Sequence, residues 1–144
     1  MQPLAASLGE DAKILCARNG KSLSVQNEIA AAQLFLDSAF ILQTCDNLVA
    51  NAVRYARNTV ALSFSVRNDG FLLTIADDGK GFDKRSLREA TAPYFTEAAN
   101  HPERFGLGLY ICKLLCERHG GYLELANGAS GAKVSAFFRS APHK

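Results

Sequence analysis

VALSFSVRNDGFLLTIADDGKGF, residues 60–82, decides how this 144-residue chain folds. Val60 to Arg67 and Phe71 to Ala76 are rich in strand-forming residues, and the Asp69-Gly70 step between them is a strong hairpin signal. Two paired strands are therefore predicted, leading directly into Asp77-Asp78-Gly79-Lys80-Gly81-Phe82, a turn punctuated by two glycines. Upstream, Ile41, Leu42, Cys45, Leu48, Val49, Ala52, Val53 and Ala56 recur at helical spacing, which predicts one long helix from a cap at Asp37 or Ser38 to about Ala56. Before it, Leu4 to Ala17 reads as a helix stopped by Asn19-Gly20, Ser22 to Gln26 as a weakly marked strand, and Ala31 to Leu36 as a short apolar run compatible with a strand. Downstream, Lys84 to Phe105 is polar and irregular, with one short helical stretch around Ser86 to Ala90, and reads as a functional mobile loop. Leu107 to His119 is a buried helix halted by Gly120-Gly121, and strands Tyr122 to Ala126 and Lys133 to Phe138 flank an Asn127-Gly128 turn. That order implies an α/β sandwich of the α+β kind: one mixed, mainly antiparallel sheet covered on one face by about three helices.

Composition supports a single domain over residues 1–144: 48% hydrophobic and 21% charged residues suffice for a core and give no case for disorder. Sixteen Lys+Arg against fourteen Asp+Glu leave a formal charge of +2, too weak a bias to argue for nucleic acid or an anionic membrane. The most apolar stretch, Ile29 to Leu42, is broken by Gln33, Asp37 and Ser38, so no membrane-inserting segment is predicted, and no signal-peptide pattern opens the sequence. Of the four cysteines none forms a CxxC pair. Cys112 and Cys116 sit four apart in an apolar helical pattern, which reads as packed free thiols in a reducing cytoplasm.

Three segments break the rules of an ordinary core. Asn47, Asn51 and Tyr55 recur every four residues along the long helix, with Arg54 one step round, so two amides share a stripe beside apolar neighbours. A buried amide left unpaired costs roughly 1–3 kcal/mol, so this stripe faces neighbouring backbone groups, water or a ligand. The glycines of the 77–82 turn allow a backbone to approach a ligand closely, and the acceptor-only carboxylate of Asp77 suits an exocyclic amine such as that of adenine, although a plain turn has the same appearance. A calcium loop does not fit: aligning Gly79 or Gly81 with its glycine puts Arg85 or Leu87 where a glutamate is required. Lastly, Gly106-Leu107-Gly108-Leu109 opens a helix, where free N–H groups favour a phosphate, yet neither GxxxxGK[ST] nor GxGxxG is present.

In this order the three segments closely resemble the catalytic, ATP-binding domain of bacterial sensor histidine kinases, in the Bergerat-fold superfamily of gyrase, chaperone, kinase and mismatch-repair ATPases. DNLVANAVRYA is similar to the N box, DDGKGF to the first glycine box, APYFT to a degenerate F box and FGLGLYICK to the second glycine box. The resemblance is specific over about residues 36–139. It implies ATP and Mg²⁺ as ligands, Asn51 as a metal ligand with Asn47 assisting, Arg54 as a phosphate contact and Tyr55 as a ring bordering the nucleotide. It further implies Asp77 as the adenine acceptor in a pocket shaped by Gly79 and Gly81, the segment Gly106, Leu107, Gly108 and Leu109 at the phosphates, and residues 84–105 as an ATP lid. Thr91 and Arg104 depart from the family pattern, in the F box and before the second glycine box.

Asn47 also separates branches of the superfamily. Where the hydrolysing members and the anti-sigma serine kinases carry a general-base glutamate, this chain has an amide, which takes no proton at neutral pH. A histidine nucleophile needs no such base. The expected activity is that of a histidine protein kinase, with Asn47, Asn51 and Arg54 at the catalytic centre. His101, His119 and His143 lack the expected acceptor context, so the target histidine is expected on a dimerisation domain of the same parent, outside this chain, and the isolated domain is expected not to complete autophosphorylation. The resemblance further implies a membrane-bound receptor as parent and a response regulator as the next phosphate acceptor. The alternatives are a non-catalytic nucleotide-binding module and, less favoured, an anti-sigma-type serine kinase.

Overall fold

The computed structural model describes residues 2–28, 34, 36–67, 69–89, 91 and 108–140. Helix α1 (Gln2–Arg18) leads to strand β1 (Ser22–Glu28), and helix α2 (Ser38–Tyr55) to the hairpin of β2 (Thr59–Arg67) and β3 (Gly70–Asp77). A short helix α3 (Lys84–Glu89) follows, then helix α4 (Gly108–Arg118) and strands β4 (Tyr122–Asn127) and β5 (Ala132–Arg139). The strands form one sheet in the order β1-β2-β3-β5-β4, in which β1 pairs parallel with β2 and every other pairing is antiparallel. A parallel pair needs a crossover, and α2 supplies it.

The helices α1, α2 and α4 bury one face of the sheet, as the alternation of residues dictates. On β3, Phe71, Leu73 and Ile75 point into the helix layer and are at most 2% exposed, while Leu72, Thr74 and Ala76 line the helix-free face. Asp77 is next in the inward register, so β3 ends by placing a carboxylate where its apolar neighbours go; it is 7% exposed. Helix α2 answers with Ile41, Cys45, Leu48, Val49, Ala52 and Val53, all buried. Each larger one contributes about 1.5–3 kcal/mol by leaving water. Asp37 caps α2, its carboxylate accepting from the amides of Ala39 (3.0 Å) and Phe40 (3.4 Å). Both α1 and α4 stop on a glycine at positive φ, Gly20 and Gly120.

Two turns differ in detail from expectation. In the first hairpin Arg67 pairs with Gly70, so Gly70 belongs to β3, and Asp69 takes the positive φ of 61°. Gly70 is needed for space instead, since a Cβ there would stand 2.3 Å from the Phe137 ring, whereas a short polar side chain such as Asp69 tolerates the left-handed region. In the second hairpin Asn127 pairs with Ala132, and the connection is the 128–131 loop, closed by the Gly128 amide on Gly131 O at 2.7 Å. Of the apolar run Ala31 to Leu36, only Leu34 and Leu36 are described, and neither lies in a strand. The expected loop 84–105 is described only through residue 89 and at Thr91.

All four cysteines are free and buried. Burial pushes Cys45 up to about 12 and Cys116 likewise to about 12. No helix among the described residues is long and apolar enough to cross a membrane.

Candidate functional site

The carboxyl end of α2, the end of β3 and the start of α4 frame the candidate site. Asp77 Oδ1 accepts the Gly79 amide at 2.8 Å, and the Ala132 amide also bonds this carboxylate. Burial outweighs those two bonds and holds the Asp77 carboxyl above the usual range. Two donors leave lone pairs of the carboxylate for a further partner.

Gly79 is required by contact. A Cβ at that position would lie 2.2 Å from the Tyr55 carbonyl oxygen and 3.0 Å from Asp77 Oδ1, so the turn rests directly on the last residue of α2. Gly81 has a φ of 82°, and its Cβ would meet Asn127 Oδ1 at 2.7 Å. That amide belongs to a two-bond clamp: Asn127 Oδ1 accepts the Phe82 amide at 2.7 Å, and Asn127 Nδ2 donates to Phe82 O at 3.0 Å. Gly81 therefore serves the clamp on the turn. Gly131 presses in from the loop before β5, where a Cβ would stand 2.3 Å from Asp77 O and 2.8 Å from the Gly79 nitrogen.

Asp78 binds the turn to the residues after α2. Its carboxylate accepts the amides of Arg57 (2.8 Å), Asn58 (3.0 and 3.1 Å) and Thr59 (3.2 Å), and these bonds hold its carboxyl below the usual range.

On α2, Asn47, Asn51, Arg54 and Tyr55 are all half-buried. Among the described residues none hydrogen-bonds the Asn51 side chain. Asn47 bonds the thiol of Cys112, which also donates to Thr44 O at 3.8 Å, and burial pushes that thiol up to about 12. Cys112 lies one turn beyond Gly108, the first residue of α4, so this contact aligns the start of α4 with the amide stripe. The Arg54 guanidinium lies 6.0 Å from the Tyr55 ring centre. Leu109 packs against the core. Gly106 and Leu107 lie outside the described residues, as do His101, His143 and the APYFT motif beyond Thr91 and before Phe105.

Asp78, Asn127 and Gly131 escaped the sequence reading, because each acts on backbone that only the fold brings near. Asp77, in contrast, shows its signal in the strand: Phe71, Leu73, Ile75, Asp77 is one alternating face ending in a charge. His119 is structural. Its Nε2 accepts the Asp37 amide at 2.9 Å while Nδ1 faces Arg139 O at 3.2 Å, and its ring meets Phe40 and Phe138 edge-on. Two recesses open elsewhere, about 770 Å³ on the helix-free sheet face and about 460 Å³ beside His119, and neither borders Asp77 or Asn51.

A helix layer over a five-stranded sheet, with a buried aspartate and a glycine turn against an asparagine-bearing helix, defines a class of nucleotide-handling domains. The chain belongs to the histidine kinase-, DNA gyrase B-, and HSP90-like ATPase family, whose profile matches residues 36–142. Its relatives include the sensor histidine kinase CpxA of Escherichia coli K12, 29% identical over 115 residues, which cover 78% of this chain and 25% of CpxA. Another is the sensor histidine kinase RegB of Cereibacter sphaeroides, 35% identical over 91 residues, or 58% of this chain and 20% of RegB. The chain thus spans a quarter or less of these two relatives. Among solved structures, the catalytic domain of the histidine kinase ThkA superposes with a TM-score of 0.79 at 19% identity, covering 97% of this chain and 92% of that one.

Proposed function

We propose that residues 1–144 form the ATP-binding catalytic domain of a sensor histidine kinase, presenting Mg-ATP for phosphoryl transfer to a histidine on a dimerisation domain of the same parent. The observation that carries this reading is Asp77: an inward-facing carboxylate, nearly buried, with lone pairs left after its two amide bonds, beside a turn with no room for a Cβ at Gly79. Such a group suits the exocyclic amine of adenine, because both oxygens of a carboxylate accept whereas an amide offers one acceptor and one donor. The residues fit the metal as well. Asn51 presents an amide oxygen that no described residue engages, and Mg²⁺ needs only one or two protein ligands beside water and phosphate oxygens.

In this reading Asn51 holds the ion with Asn47 assisting, Arg54 meets a phosphate, Tyr55 borders the nucleotide and the start of α4 donates amides to phosphate oxygens. The bound ion supplies charge neutralisation on the phosphates. Asn47 gives the site no base: its amide bonds the Cys112 thiol and takes no proton from water, so the arrangement orients a phosphoryl group without activating hydrolysis. Residues 84–105 form the lid. The parent is a membrane-bound bacterial two-component sensor with this domain in the cytoplasm, and a response regulator receives the phosphate.

Titration of the chain with ATP, with and without Mg²⁺, is the direct test: binding strengthened by Mg²⁺ supports the assignment, and absent binding overturns it. Mixed with a separately prepared dimerisation domain of its parent, the chain should form acid-labile phosphohistidine. ATP binding without phosphotransfer would instead indicate a regulatory module, and acid-stable phosphoserine a serine kinase.

A further inference from the structure

The polypeptide that leaves α2 and enters β2 is gripped from two sides. Lys21 Nζ donates to the carbonyls of Ala56 (2.6 Å) and Arg57 (3.0 Å), fixing the carbonyl side to the start of β1. The amide side is gathered by one carboxylate, Asp78, which takes the N–H groups of Arg57, Asn58 and Thr59 together. Asp78 lies between Asp77 and Gly79, so whatever holds it to residues 57–59 also holds the glycine turn to the end of α2.

We propose that Asp78 is a positioning residue that sets the adenine turn, carrying Asp77, in register with the end of α2, carrying Asn51, Arg54 and Tyr55, so that one nucleotide spans both. The inference rests on the ATP-binding reading above. A nucleotide is a short linker of bounded length between its base and its phosphates, and it gains full affinity from engaging two subsites only when their separation lies within its span. With three charge-assisted bonds holding the join, the turn and the helix meet at one fixed spacing. Without them, each subsite persists, but the two lose their common register.

The test compares adenosine, which engages the turn alone, with Mg-ATP, which engages both subsites, by competition titration on the full chain. Asp78→Ala should leave adenosine binding within about threefold and cut the ATP advantage over adenosine at least about tenfold, the scale of one lost charge-assisted bond. Asp78→Asn, which keeps one acceptor oxygen, should fall between. Asp77→Asn should weaken both ligands together and preserve their ratio, and Lys21→Met, which frees only the carbonyl side, should leave the ratio unchanged. A proportional loss of adenosine and ATP in Asp78→Ala, or no loss, overturns the proposal. If that variant does not fold, an unaltered ratio in Asp78→Asn, with faster amide exchange at residues 57–59, overturns it too. Wild-type protein that binds neither ligand refutes the ATP-binding reading itself, a separate and recognisable result.

Discussion

Replacing Gly79 by alanine adds one methyl group, and the packing around that position fixes what it costs. The new carbon would stand 2.2 Å from the Tyr55 carbonyl oxygen, where even crowded carbons keep 3.0 Å, so turn and helix must separate by about 0.8 Å. Neither side yields easily. The Tyr55 carbonyl sits at the end of α2, where the Ala56 amide bonds Ala52 O at 2.8 Å and the next three amides are held by Asp78. On the other side the Gly79 nitrogen lies against Gly131. Overpacking of this kind costs about 1–3 kcal/mol. Urea unfolding of Gly79→Ala should show that loss, and titration with Mg-ATP should show an affinity at least about tenfold lower, because the separation opens between the two subsites. Gly128→Ala is the matched control: its Cβ would meet nothing closer than Lys133 Cβ at 3.7 Å, and its stability should stay within about 0.5 kcal/mol of wild type. If the two alanine variants unfold at the same urea concentration and bind ATP alike, the contact between turn and helix does not constrain the site as argued.

Further outcomes follow from the same contacts. Asp77→Asn should weaken ATP binding by about tenfold or more, since an amide presents a donor where the adenine amine needs an acceptor; unchanged affinity would remove the main ligand assignment. Asn127→Ala breaks both bonds to Phe82 and should cost about 1–2 kcal/mol in chemical denaturation, a loss below about 0.5 kcal/mol counting against the clamp. The carboxyls of Asp78 and Asp83 are held below the value of 3.8 they would have unfolded, so each stabilises the fold above that pH and loses its contribution as pH falls through its lower folded value. Asp78→Asn should therefore flatten the acid limb of a stability-against-pH curve, while Asp77, shifted upward, works in the opposite sense. Cys45, Cys112 and Cys116, each pushed up to about 12, and buried Cys16 should react with a thiol reagent only at the rate of unfolding; prompt labelling of the native protein would contradict their burial.

Much of the architecture is legible in the residues alone, for identifiable reasons. The stripe from Ile41 to Ala56 and the alternation along residues 60–76 each bury one face, and burial imposes a period that survives in the sequence. Strand β1 is faint because it lies at the sheet edge: of its seven residues only Leu23 is half-buried and the rest are exposed, so no alternation is selected. The hairpin is readable while its turn residue is not, because Asp69 and Gly70 can each take a positive φ and the choice was made by the Phe137 ring, 67 positions away. The same distinction holds for the candidate site. Asp77, Gly79 and the asparagine stripe stand out by residue type, whereas Asp78 and Asn127 look like ordinary turn residues until the fold brings residues 57–59 and Phe82 against them.

The lone parallel pairing in the sheet makes β1 depend on sequence made long after it. Its partner positions run from Thr59 to Ser65, so during synthesis residues 22–28 emerge well before the strand they zip onto. The β2–β3 hairpin, whose ends are neighbours, closes as soon as it is extruded. Assembly on the ribosome is thus expected to run outward from the middle of the chain, and a stall shortly before residue 59 would leave an unpaired edge for chaperones to cover.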